Sequence, residues 1–319
     1  MKILVTGAAG FIGFHVALDL LREGHEVVGV DNFNDYYSVR LKRDRHRQLE
    51  AHPRYVGYEM DLTDDRAVED LFAAHRFDRV CHLAAQAGVR YSLVNPRAYE
   101  RANLAAFVNI LEGCRHTHVP RLVYASSSSV YGGNTKLPFS ETDPVDRPVS
   151  LYAATKKANE LMAHTYTHLF GLPTVGLRFF TVYGPWGRPD MAMWIFTERL
   201  FKRQPIPVFH HGRMWRDFTY IDDVVVGVRA ALFREGLGSY EIFNLGNHRP
   251  EGLMDMIELL AREVGVPPVL EMLPMQPGDV ERTYADIERA RVKLGFEPRT
   301  PLSEGVPKFV RWFREYHGW

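Results

Sequence analysis

The sequence predicts a doubly wound α/β fold, a parallel sheet with helices on both faces, together with a smaller C-terminal lobe. In the first half of the chain, short apolar runs alternate with helical patterns, as expected for parallel strands joined by crossover helices. Gly7-Ala-Ala-Gly10-Phe-Ile-Gly13 stands between the first apolar run and the first helical pattern. The serine run 126–129 ends another apolar run, at the strand end where such sheets bind ligands.

The elements of the first half follow one another in a regular order. Strands are predicted over 2–6, 26–31, 78–83, 121–126 and 173–180. Helices are predicted between or beside them, over 12–23, 67–75, 98–117 and 151–169. Strands that are spaced by helices pair in parallel with right-handed crossovers, which gives the doubly wound sheet.

The pattern becomes less regular beyond about residue 181, where prolines interrupt it repeatedly. Helices are predicted over 222–234 and 253–264, and a strand over 240–245. We therefore expect a first domain over residues 1–180 and a second lobe over 181–319, with the ligand between them. The boundary is soft, because a segment near 220–250 is expected to rejoin the main domain.

Composition excludes several function classes. Lys+Arg and Asp+Glu balance at 39 each, so no overall field attracts nucleic acid or an anionic membrane. Two cysteines, Cys81 and Cys114, are too few for a disulfide framework and lack metal-ligand spacing. The chain shows no signal-peptide pattern or membrane-length apolar run. The expectations are a cytoplasmic protein without metal, nucleic-acid partner or membrane partner.

The glycine motif predicts a dinucleotide site of the Rossmann type. Gly7 permits a tight turn, Gly10 lets the backbone approach a pyrophosphate, and Gly13 allows close packing of helix on strand. The helix N-terminus, with Phe11 and Ile12, presents free N–H groups to the phosphates. The glycines alone also fit an ordinary strand–helix turn.

Asp31 strengthens the dinucleotide interpretation. It ends the second strand, where a carboxylate accepts hydrogen bonds from the adenosine ribose and repels a 2′-phosphate, so NAD is favoured over NADP. The alternative role for Asp31 is a helix or turn cap. Asp61, after the next apolar run, is a candidate for the adenine amino group or for capping the helix near Ala67.

Tyr152-Ala-Ala-Thr-Lys156 supplies a candidate base. A tyrosine and a lysine four residues apart share one helix face, and a nearby cation favours the ionised form of a phenol whose usual pKa is about 10. Beside a nicotinamide, such a phenolate accepts a proton from a sugar hydroxyl. Tyr-x-x-x-Lys alone is common on exposed helices, so the prediction depends on the surrounding motifs.

Together these motifs resemble the extended short-chain dehydrogenase/reductase family, also called NAD-dependent epimerase/dehydratase, over essentially the whole chain. Its Gly-x-x-Gly-x-x-Gly fingerprint explains why the first gap is one residue longer than in G-x-G-x-x-G. Longer motifs are similar to those of the UDP-glucuronate 4-epimerases: His82-Leu-Ala-Ala-Gln86-Ala-Gly-Val-Arg90-Tyr91-Ser92, Ser126-Ser-Ser-Ser129-Val-Tyr131-Gly132, Arg178-Phe-Phe-Thr181-Val-Tyr-Gly184-Pro185-Trp186-Gly187-Arg188-Pro189 and Gln276-Pro-Gly-Asp279-Val.

This resemblance implies roles for individual residues. Tyr152 is the base, Lys156 holds the nicotinamide ribose and lowers the phenol pKa, and Ser127 shares the O4 proton. NAD contacts are implied for the glycines and Asp31 and for Phe11, Ile12, Asn32, Asp61, Leu62, Leu83, Ala84 and Ala85. The resemblance also implies a homodimer through the helices over 98–117 and 151–169.

The serine cluster narrows the reaction within the resemblance. Related 4,6-dehydratases have Thr-Asp-Glu where this chain has Ser127-Ser128-Ser129, and related decarboxylases carry a glutamate nearby. Hydroxyls alone favour 4-epimerisation of UDP-glucuronate and UDP-galacturonate. Ser128, Ser129, Thr181 and Arg188 are candidates to hold the C5 carboxylate of a uronate. A solvated loop charge is the alternative for Arg188.

Further contacts to the UDP-sugar are implied mostly in the second lobe. Arg213 and Arg216 are candidates for the diphosphate, and Asp279 for the uridine ribose. The other implied contacts are Gln86, Arg90, Val208 on the uracil-binding strand, and Arg282. The basic run 40–47 is interpreted as a solvated helix face.

Three other functions stay open on the sequence. They are a UDP-glucuronate decarboxylase, a neutral UDP-sugar 4-epimerase and an NAD-binding regulatory module. The intact set of Ser127, Tyr152 and Lys156 argues against the regulatory module, since a sensor needs no base.

Overall fold

The computed structural model describes residues 1–275 and 280–319. Its strands are, in chain order, β1 (Lys2–Thr6), β2 (Glu26–Asp31), β3 (Tyr55–Glu59), β4 (Arg79–His82), β5 (Leu122–Ser127), β6 (Thr174–Phe179), β7 (Thr181–Tyr183), β8 (Ile206–Val208), β9 (Trp215–Tyr220), β10 (Tyr240–Leu245), β11 (Pro250–Gly252) and β12 (Leu270–Met272).

The helices alternate with these strands. They are α1 (Phe11–Arg22), α2 (Val39–Glu50), α3 (Asp65–Ala74), α4 (Tyr91–Val94), α5 (Pro96–Tyr99), α6 (Ala106–His116), α7 (Leu151–Phe170), α8 (Ala192–Phe201), α9 (Ile221–Phe233), α10 (Leu253–Val264), α11 (Glu288–Leu294) and α12 (Leu302–His317). A π-helical turn, Glu100–Ala105, joins α5 to α6, and the single helix predicted over 98–117 is interrupted there.

The main sheet has seven strands in the order β10-β6-β5-β4-β1-β2-β3, and every pairing in it is parallel. The chain runs outward from β1 in one direction through β2 and β3. It then returns to β4 and runs outward the other way. The strand order therefore reverses between β1 and β4, which is where doubly wound sheets bind ligands. The predicted fold class is confirmed.

The second lobe packs on the C-terminal edge of this sheet. It contains a three-stranded sheet, β11-β9-β7, and a two-stranded sheet, β12-β8. Helix α12 packs on α10, and its buried side chains fall on one face: Leu302, Gly305, Val306, Phe309, Val310 and Phe313. One hydrophobic cluster reaches from Ile3 in β1 to Phe313 in α12, so the two lobes share a core.

Helix α2 differs from its interpretation as a solvated face. Leu41, Lys42, Arg45 and Leu49 are buried along one side of the helix, whereas the outer side carries exposed charges. The basic run therefore contains two buried cations. Sequence periodicity was misleading here because apolar residues occupy only part of the buried stripe.

Three further observations concern membrane spans, metal-binding groups and cysteines. No helix in the described parts of the chain is long and apolar enough to cross a membrane. Within residues 1–275 and 280–319, no three His, Cys, Asp or Glu side chains are grouped to hold a metal ion. Cys81 and Cys114 are free thiols that are buried in the core.

Candidate active site

A cavity of about 860 Å³ lies along the carboxyl ends of the main-sheet strands and continues into the second lobe. Most of the residues predicted to bind ligands line it. They are Gly7, Gly10, Phe11, Ile12, Gly13, Asp31, Asn32, Asp61, Leu62, Leu83, Ala84, Ala85, Gln86, Arg90, Ser127, Ser128, Ser129, Tyr152, Lys156, Thr181, Arg188 and Arg216.

The glycine turn forms a cradle that side chains would fill. Gly7 has φ +68°, and a Cβ there would lie 2.8 Å from the backbone nitrogen of Ala84. A Cβ on Gly13 would lie 2.0 Å from the Gly7 carbonyl oxygen. Helix α1 has no side-chain cap at Gly10 and no acidic residue in its first turn. Its free N–H groups therefore face the cavity as an anion site, and they fit a dinucleotide pyrophosphate.

Asp31 lies at the end of β2 beside this cradle. Its Oδ2 accepts a hydrogen bond from the backbone N–H of Ala9 at 3.1 Å, and its Oδ1 accepts from Phe33 N–H at 2.9 Å. The carboxylate thus caps the turn, which is one of the two roles considered for it, and it also lines the cavity. A carboxylate held in this position fits an adenosine ribose.

Asp61 binds its own turn rather than the helix that follows. It accepts hydrogen bonds from Thr63 N–H at 2.9 Å and from the Asn32 amide at 3.3 Å. The cap of α3 is Asp64, which accepts from Ala67 N–H at 3.0 Å. The alternative role of Asp61 as the α3 cap is therefore wrong, and its carboxylate lines the cavity.

Helix α7 carries Tyr152 and Lys156 into the cavity wall. Ser150 caps the helix by accepting a hydrogen bond from Ala153 N–H at 3.1 Å, which fixes where the first turn begins. The Lys156 ammonium donates to the Ala125 carbonyl at 3.0 Å. Burial lowers the pKa of Lys156 to about 8. The lysine is therefore anchored to the strand that ends in Ser127.

Burial raises the pKa of the Tyr152 phenol, while a hydrogen bond from Ser127 and the positive charge of Arg188 act to lower it. The resemblance assigned the lowering of this pKa to Lys156. Among the charges near the phenol in this structure, Arg188 lowers its pKa and Asp190 raises it, while the Lys156 ammonium donates to the Ala125 carbonyl. Ser127 and Tyr152 line the same cavity wall, and Ser127 is near enough to the phenol to lower its pKa.

A buried ion pair lies behind this constellation, and the sequence analysis missed it. Glu160, one helical turn beyond Lys156 on α7, accepts from Arg178 Nε at 2.8 Å and Nη2 at 2.9 Å. It also accepts from the Ser126 hydroxyl at 2.7 Å. The spacing of Tyr152, Lys156 and Glu160 by four residues was the available signal, because such residues share a helix face.

Arg188 lies in the loop after β7 and is not a solvated charge. Its side chain is 23% exposed, and its Nε donates to Asp190 Oδ1 at 3.0 Å. Asp190 also accepts from the Tyr36 hydroxyl at 3.0 Å. Burial alone would raise the pKa of Asp190, but Arg188 and Tyr36 hold it below its usual value. Tyr36 and Asp190 line the cavity and were not predicted.

Only some of the arginines predicted to contact the UDP-sugar in the second lobe line the cavity. Arg216 lines the cavity and donates to the carbonyl of Glu281 at 3.1 Å. Arg213 is exposed and lies outside the cavity lining. Arg282 is also outside, with its guanidinium 4.6 Å from the centre of the Trp215 ring.

The uracil strand and the uridine residue complete this comparison. Val208 is buried with its side chain in the core, while its neighbours Pro207 and Phe209 line the cavity. Asp279 lies outside the described residues. Trp186 and Trp194 pack against Trp312, with ring centres 5.2 and 5.5 Å apart.

Comparison with known proteins supports the arrangement. Residues 3–246 match the model of the NAD dependent epimerase/dehydratase family. UDP-glucuronate 4-epimerase 4 of Arabidopsis thaliana is 49% identical, with 99% of this chain and 76% of that protein covered. Protein CapI of Staphylococcus aureus is 47% identical over 99% of each chain.

Solved structures agree with the sequence relatives. UDP-glucuronic acid 4-epimerase from Bacillus cereus, in complex with UDP-glucuronic acid and NAD, has TM-score 0.93 and 35% identity, covering 99% of this chain and 100% of that one. UDP-glucose 4-epimerase from Thermotoga maritima, with UDP-glucose, has TM-score 0.89 and 33% identity over 99% and 100%. The chain therefore belongs to the NAD dependent epimerase/dehydratase family.

Proposed function

We propose that this protein is an NAD-dependent 4-epimerase that interconverts UDP-glucuronate and UDP-galacturonate through a transient 4-keto sugar. One observation carries the proposal: Tyr152, the three serine hydroxyls and Arg188 line the same cavity, and Ser127 and Arg188 both lie near enough to the phenol to lower its pKa. The similarity to UDP-glucuronate 4-epimerases, at 46% to 49% identity, supports the substrate. The family and its NAD dependence support the cofactor.

The residues at the sheet edge fit the first half of such a reaction. The glycine turn and Asp31 would hold NAD, which would supply reversible hydride chemistry at C4 of the sugar. Tyr152 accepts the O4 proton, which it shares with Ser127. Lys156 holds the nicotinamide ribose, and the lysine itself stays anchored to the Ala125 carbonyl. The cofactor contacts are the glycine turn, Asp31 and the apolar residues of the cavity wall, which are Phe11, Ile12, Leu62, Leu83, Ala84 and Ala85.

The substrate carboxylate explains the remaining polar residues. A C4 ketone makes the C5 carboxylate that of a β-keto acid, which loses carbon dioxide when the breaking bond overlaps the carbonyl π system. Hydrogen bonds from Ser128, Ser129, Thr181 and Arg188 hold the carboxylate out of that overlap. Arg188 is charged and Asp190 orients it, so a uronate gains a charged partner that a neutral sugar lacks.

The absence of a carboxylate from Ser127-Ser128-Ser129 argues against dehydration and decarboxylation. Asp190 is the acidic group next to Arg188, and its two partners hold it ionised. It is therefore suited to orient the arginine rather than to donate a proton. The backbone does not separate uronate from neutral-sugar enzymes, because solved epimerases of both kinds superpose closely on this chain. The side chains have to make that distinction.

The wider organisation follows from the same proposal. Residues 1–180 hold NAD and the catalytic residues, and residues 181–319 mainly hold the UDP-sugar, with 220–250 rejoining the first domain. Arg216 supplies charge for the diphosphate, Asp279 binds the uridine ribose, and Pro207 and Phe209 on either side of Val208 face the uracil, whereas Arg213 and Arg282 lie outside the cavity lining. Gln86 and Arg90 complete the site.

We further propose a cytoplasmic homodimer that forms through α6 and α7. Large apolar side chains are exposed on these two helices, and burying them in a helix–helix contact would remove them from water. They are Val108 on α6 and Leu161, Leu169 and Phe170 on α7.

The test is product analysis with two substrates. Incubation with UDP-glucuronate is expected to give UDP-galacturonate with little carbon dioxide, and UDP-glucose is expected to remain almost unchanged. Release of carbon dioxide as the main result would identify a decarboxylase instead. Equal turnover of UDP-glucose would identify a neutral-sugar epimerase.

The carboxylate assignment has its own test. Thr181→Ala or Arg188→Ala should raise the ratio of 4-keto-pentose to epimer by roughly ten-fold or more, because a charged hydrogen bond contributes on the order of 1.5–3 kcal/mol. Chromatography with measurement of released carbon dioxide gives this ratio. If epimerisation and decarboxylation fall in proportion, these residues only bind the substrate.

A further inference from the structure

Arg45 on α2 is a fully buried cation whose hydrogen bonds go to loops around the cavity rather than to an acid. Its exposure is 0%. It donates from Nη1 to the Ala9 carbonyl at 2.9 Å and to the Tyr37 hydroxyl at 2.9 Å. It also donates to the Trp186 carbonyl at 2.6 and 3.1 Å and to the Gly187 carbonyl at 3.0 Å.

These acceptors belong to two separate loops beside the ligand cavity. Ala9 lies in the glycine turn between Gly7 and Gly10, where the cofactor pyrophosphate is expected. Trp186 and Gly187 directly precede Arg188 in the loop after β7. One guanidinium therefore bridges the cofactor turn and the loop that carries the candidate carboxylate ligand.

The loop that Arg45 holds has an unfavourable backbone conformation. Trp186 has φ +60°, which side chains with a Cβ rarely adopt. Such a conformation persists only where surrounding contacts fix it. The Trp186 ring packs between Trp312 and Tyr316, and its carbonyl is held by Arg45. Without the guanidinium, the Trp186 carbonyl loses the hydrogen bonds from Arg45, and we expect the loop to relax.

A second connection reinforces the first. Tyr36, in the segment that leads into α2, donates its hydroxyl to Asp190, and Asp190 in turn binds Arg188. The Lys42 ammonium on the buried face of α2 fixes this segment by donating to the Asn34 carbonyl at 2.6 Å. The segment from Asn34 to Arg45 therefore reaches Arg188 from two sides.

We propose that Arg45 is a positioning residue for Arg188, and that it makes the uronate-binding loop depend on the cofactor turn. It acts through backbone carbonyls and touches no substrate. Its loss should therefore weaken contact with the sugar carboxylate and leave contacts with the uridine and diphosphate unchanged. This inference rests on the proposed function, since it assumes that Arg188 binds a uronate.

The experiment measures binding rather than turnover. Calorimetry on NAD-loaded protein in a Tyr152→Phe background compares dissociation constants for UDP-glucuronate, UDP-glucose and UDP. Arg45→Met is expected to raise the dissociation constant of UDP-glucuronate by about ten-fold or more, because a charged hydrogen bond is displaced. The dissociation constants of UDP and UDP-glucose should change by less than about two-fold. Arg45→Lys, which keeps the charge but cannot bridge both loops, should show the same selectivity with a smaller loss.

Two controls separate positioning from general damage. Arg47→Met removes a cation from the exposed side of the same helix, where the side chain is 69% exposed, and should change no ligand's affinity. Arg188→Ala should reproduce the selective loss. Adding Arg45→Lys to Arg188→Ala should not weaken UDP-glucuronate binding any further, because Arg45 acts through Arg188.

The outcomes distinguish the two levels of the proposal. Equal weakening of all three ligands by the Arg45 variants would overturn the inference and leave Arg45 a structural residue. Selective loss with Arg188→Ala alone would also overturn it, but would keep the proposed function. No selective loss with Arg188→Ala would remove the carboxylate assignment itself. Should Arg45→Met fail to fold, Arg45→Lys decides the question.

Discussion

At Tyr152, opposing effects act on one phenol. Burial raises its pKa, and the hydrogen bond from Ser127 and the charge of Arg188 oppose that rise. A base with a raised pKa is more active as the pH increases. Ser127 lines the same cavity as Tyr152, so we expect the hydroxyl and the phenol to share the substrate proton.

Tyr152→Phe should abolish most epimerisation while the protein keeps its fold and its NAD, because the ring remains and only the base is lost. Turnover of UDP-glucuronate and the NAD content of the purified protein measure the two effects. In the unmutated protein, deuterium at substrate C4 should reappear at C4 of the epimer. Loss of that label to solvent, or full activity of the phenylalanine variant, would contradict the mechanism.

Asp31 provides the second prediction at this scale. Asp31→Ala should weaken NAD binding and narrow the preference over NADP, because the carboxylate that accepts from the ribose and repels a 2′-phosphate is gone. Binding of both cofactors to apo-protein measures the preference. Equal affinity of the unmutated protein for NAD and NADP would refute the ribose assignment.

Among the elements, α7 does more than carry Tyr152 and Lys156. Its Glu160 is buried and ties the helix to β5 through Ser126 and to β6 through Arg178. Ser126 directly precedes Ser127, so this carboxylate sets how the helix and the serine cluster face each other. Burial would raise the pKa of Glu160, but Arg178 and Ser126 hold it below its usual value.

Glu160→Gln should destabilise the protein by roughly 3–5 kcal/mol, since it leaves the buried Arg178 without its counter-charge. We also expect kcat for UDP-glucuronate to fall more than KM rises. The change should shift Tyr152 relative to Ser127, whereas the proposed uridine site is distant from Glu160. Denaturant unfolding and steady-state kinetics test both. Glu198→Gln removes a surface ion pair with Lys202 and should cost less than about 1 kcal/mol. Equal effects of the two variants would contradict the assignment.

For the whole molecule, Asp217 joins the two lobes. It lies in β9 of the second lobe and accepts hydrogen bonds from His248 N–H, which follows β10 of the main sheet, and from Ala285 N–H, both at 3.0 Å. Asn247 N–H and the Thr219 hydroxyl also donate to it. Arg216, the adjacent residue, lines the cavity, so this buried carboxylate helps to set the substrate-binding lobe against the sheet.

The pH dependence of stability should reveal Asp217. Burial raises its pKa to about 6 from 3.8, so its stabilising effect is complete below about pH 4 and is lost as the pH rises through about 6. Relative to Asp217→Asn, the unmutated protein should gain about 2 kcal/mol between pH 7 and pH 4, most of the roughly 3 kcal/mol that the full shift gives at about 1.36 kcal/mol per pKa unit. Urea unfolding of both proteins across that range measures the difference. A constant difference would show that the carboxylate titrates normally.

The sequence by itself determined the sheet, the glycine turn, Asp31 and the Tyr152–Lys156 pair. These features depend on spacing within one element or on the residue at its end, and local periodicity records both. The predicted strands 2–6, 26–31 and 240–245 match the observed bounds. Strand β3 was not predicted, because it is an edge strand whose side chains are mostly not buried and whose apolar signal is therefore weak.

Only the tertiary structure decided what the charged residues do. Arg45 donates a hydrogen bond to the Trp186 carbonyl, which is 141 residues away in the sequence. Tyr36 donates one to Asp190, which is 154 residues away. A run of basic residues has the same sequence pattern whether its cations face water or a neighbouring loop. The difference lies in which carbonyls and carboxylates pack against each cation, and those acceptors belong to distant parts of the chain. Burial without such partners would cost several kcal/mol for each charge, so the fold alone determines which charges can be buried.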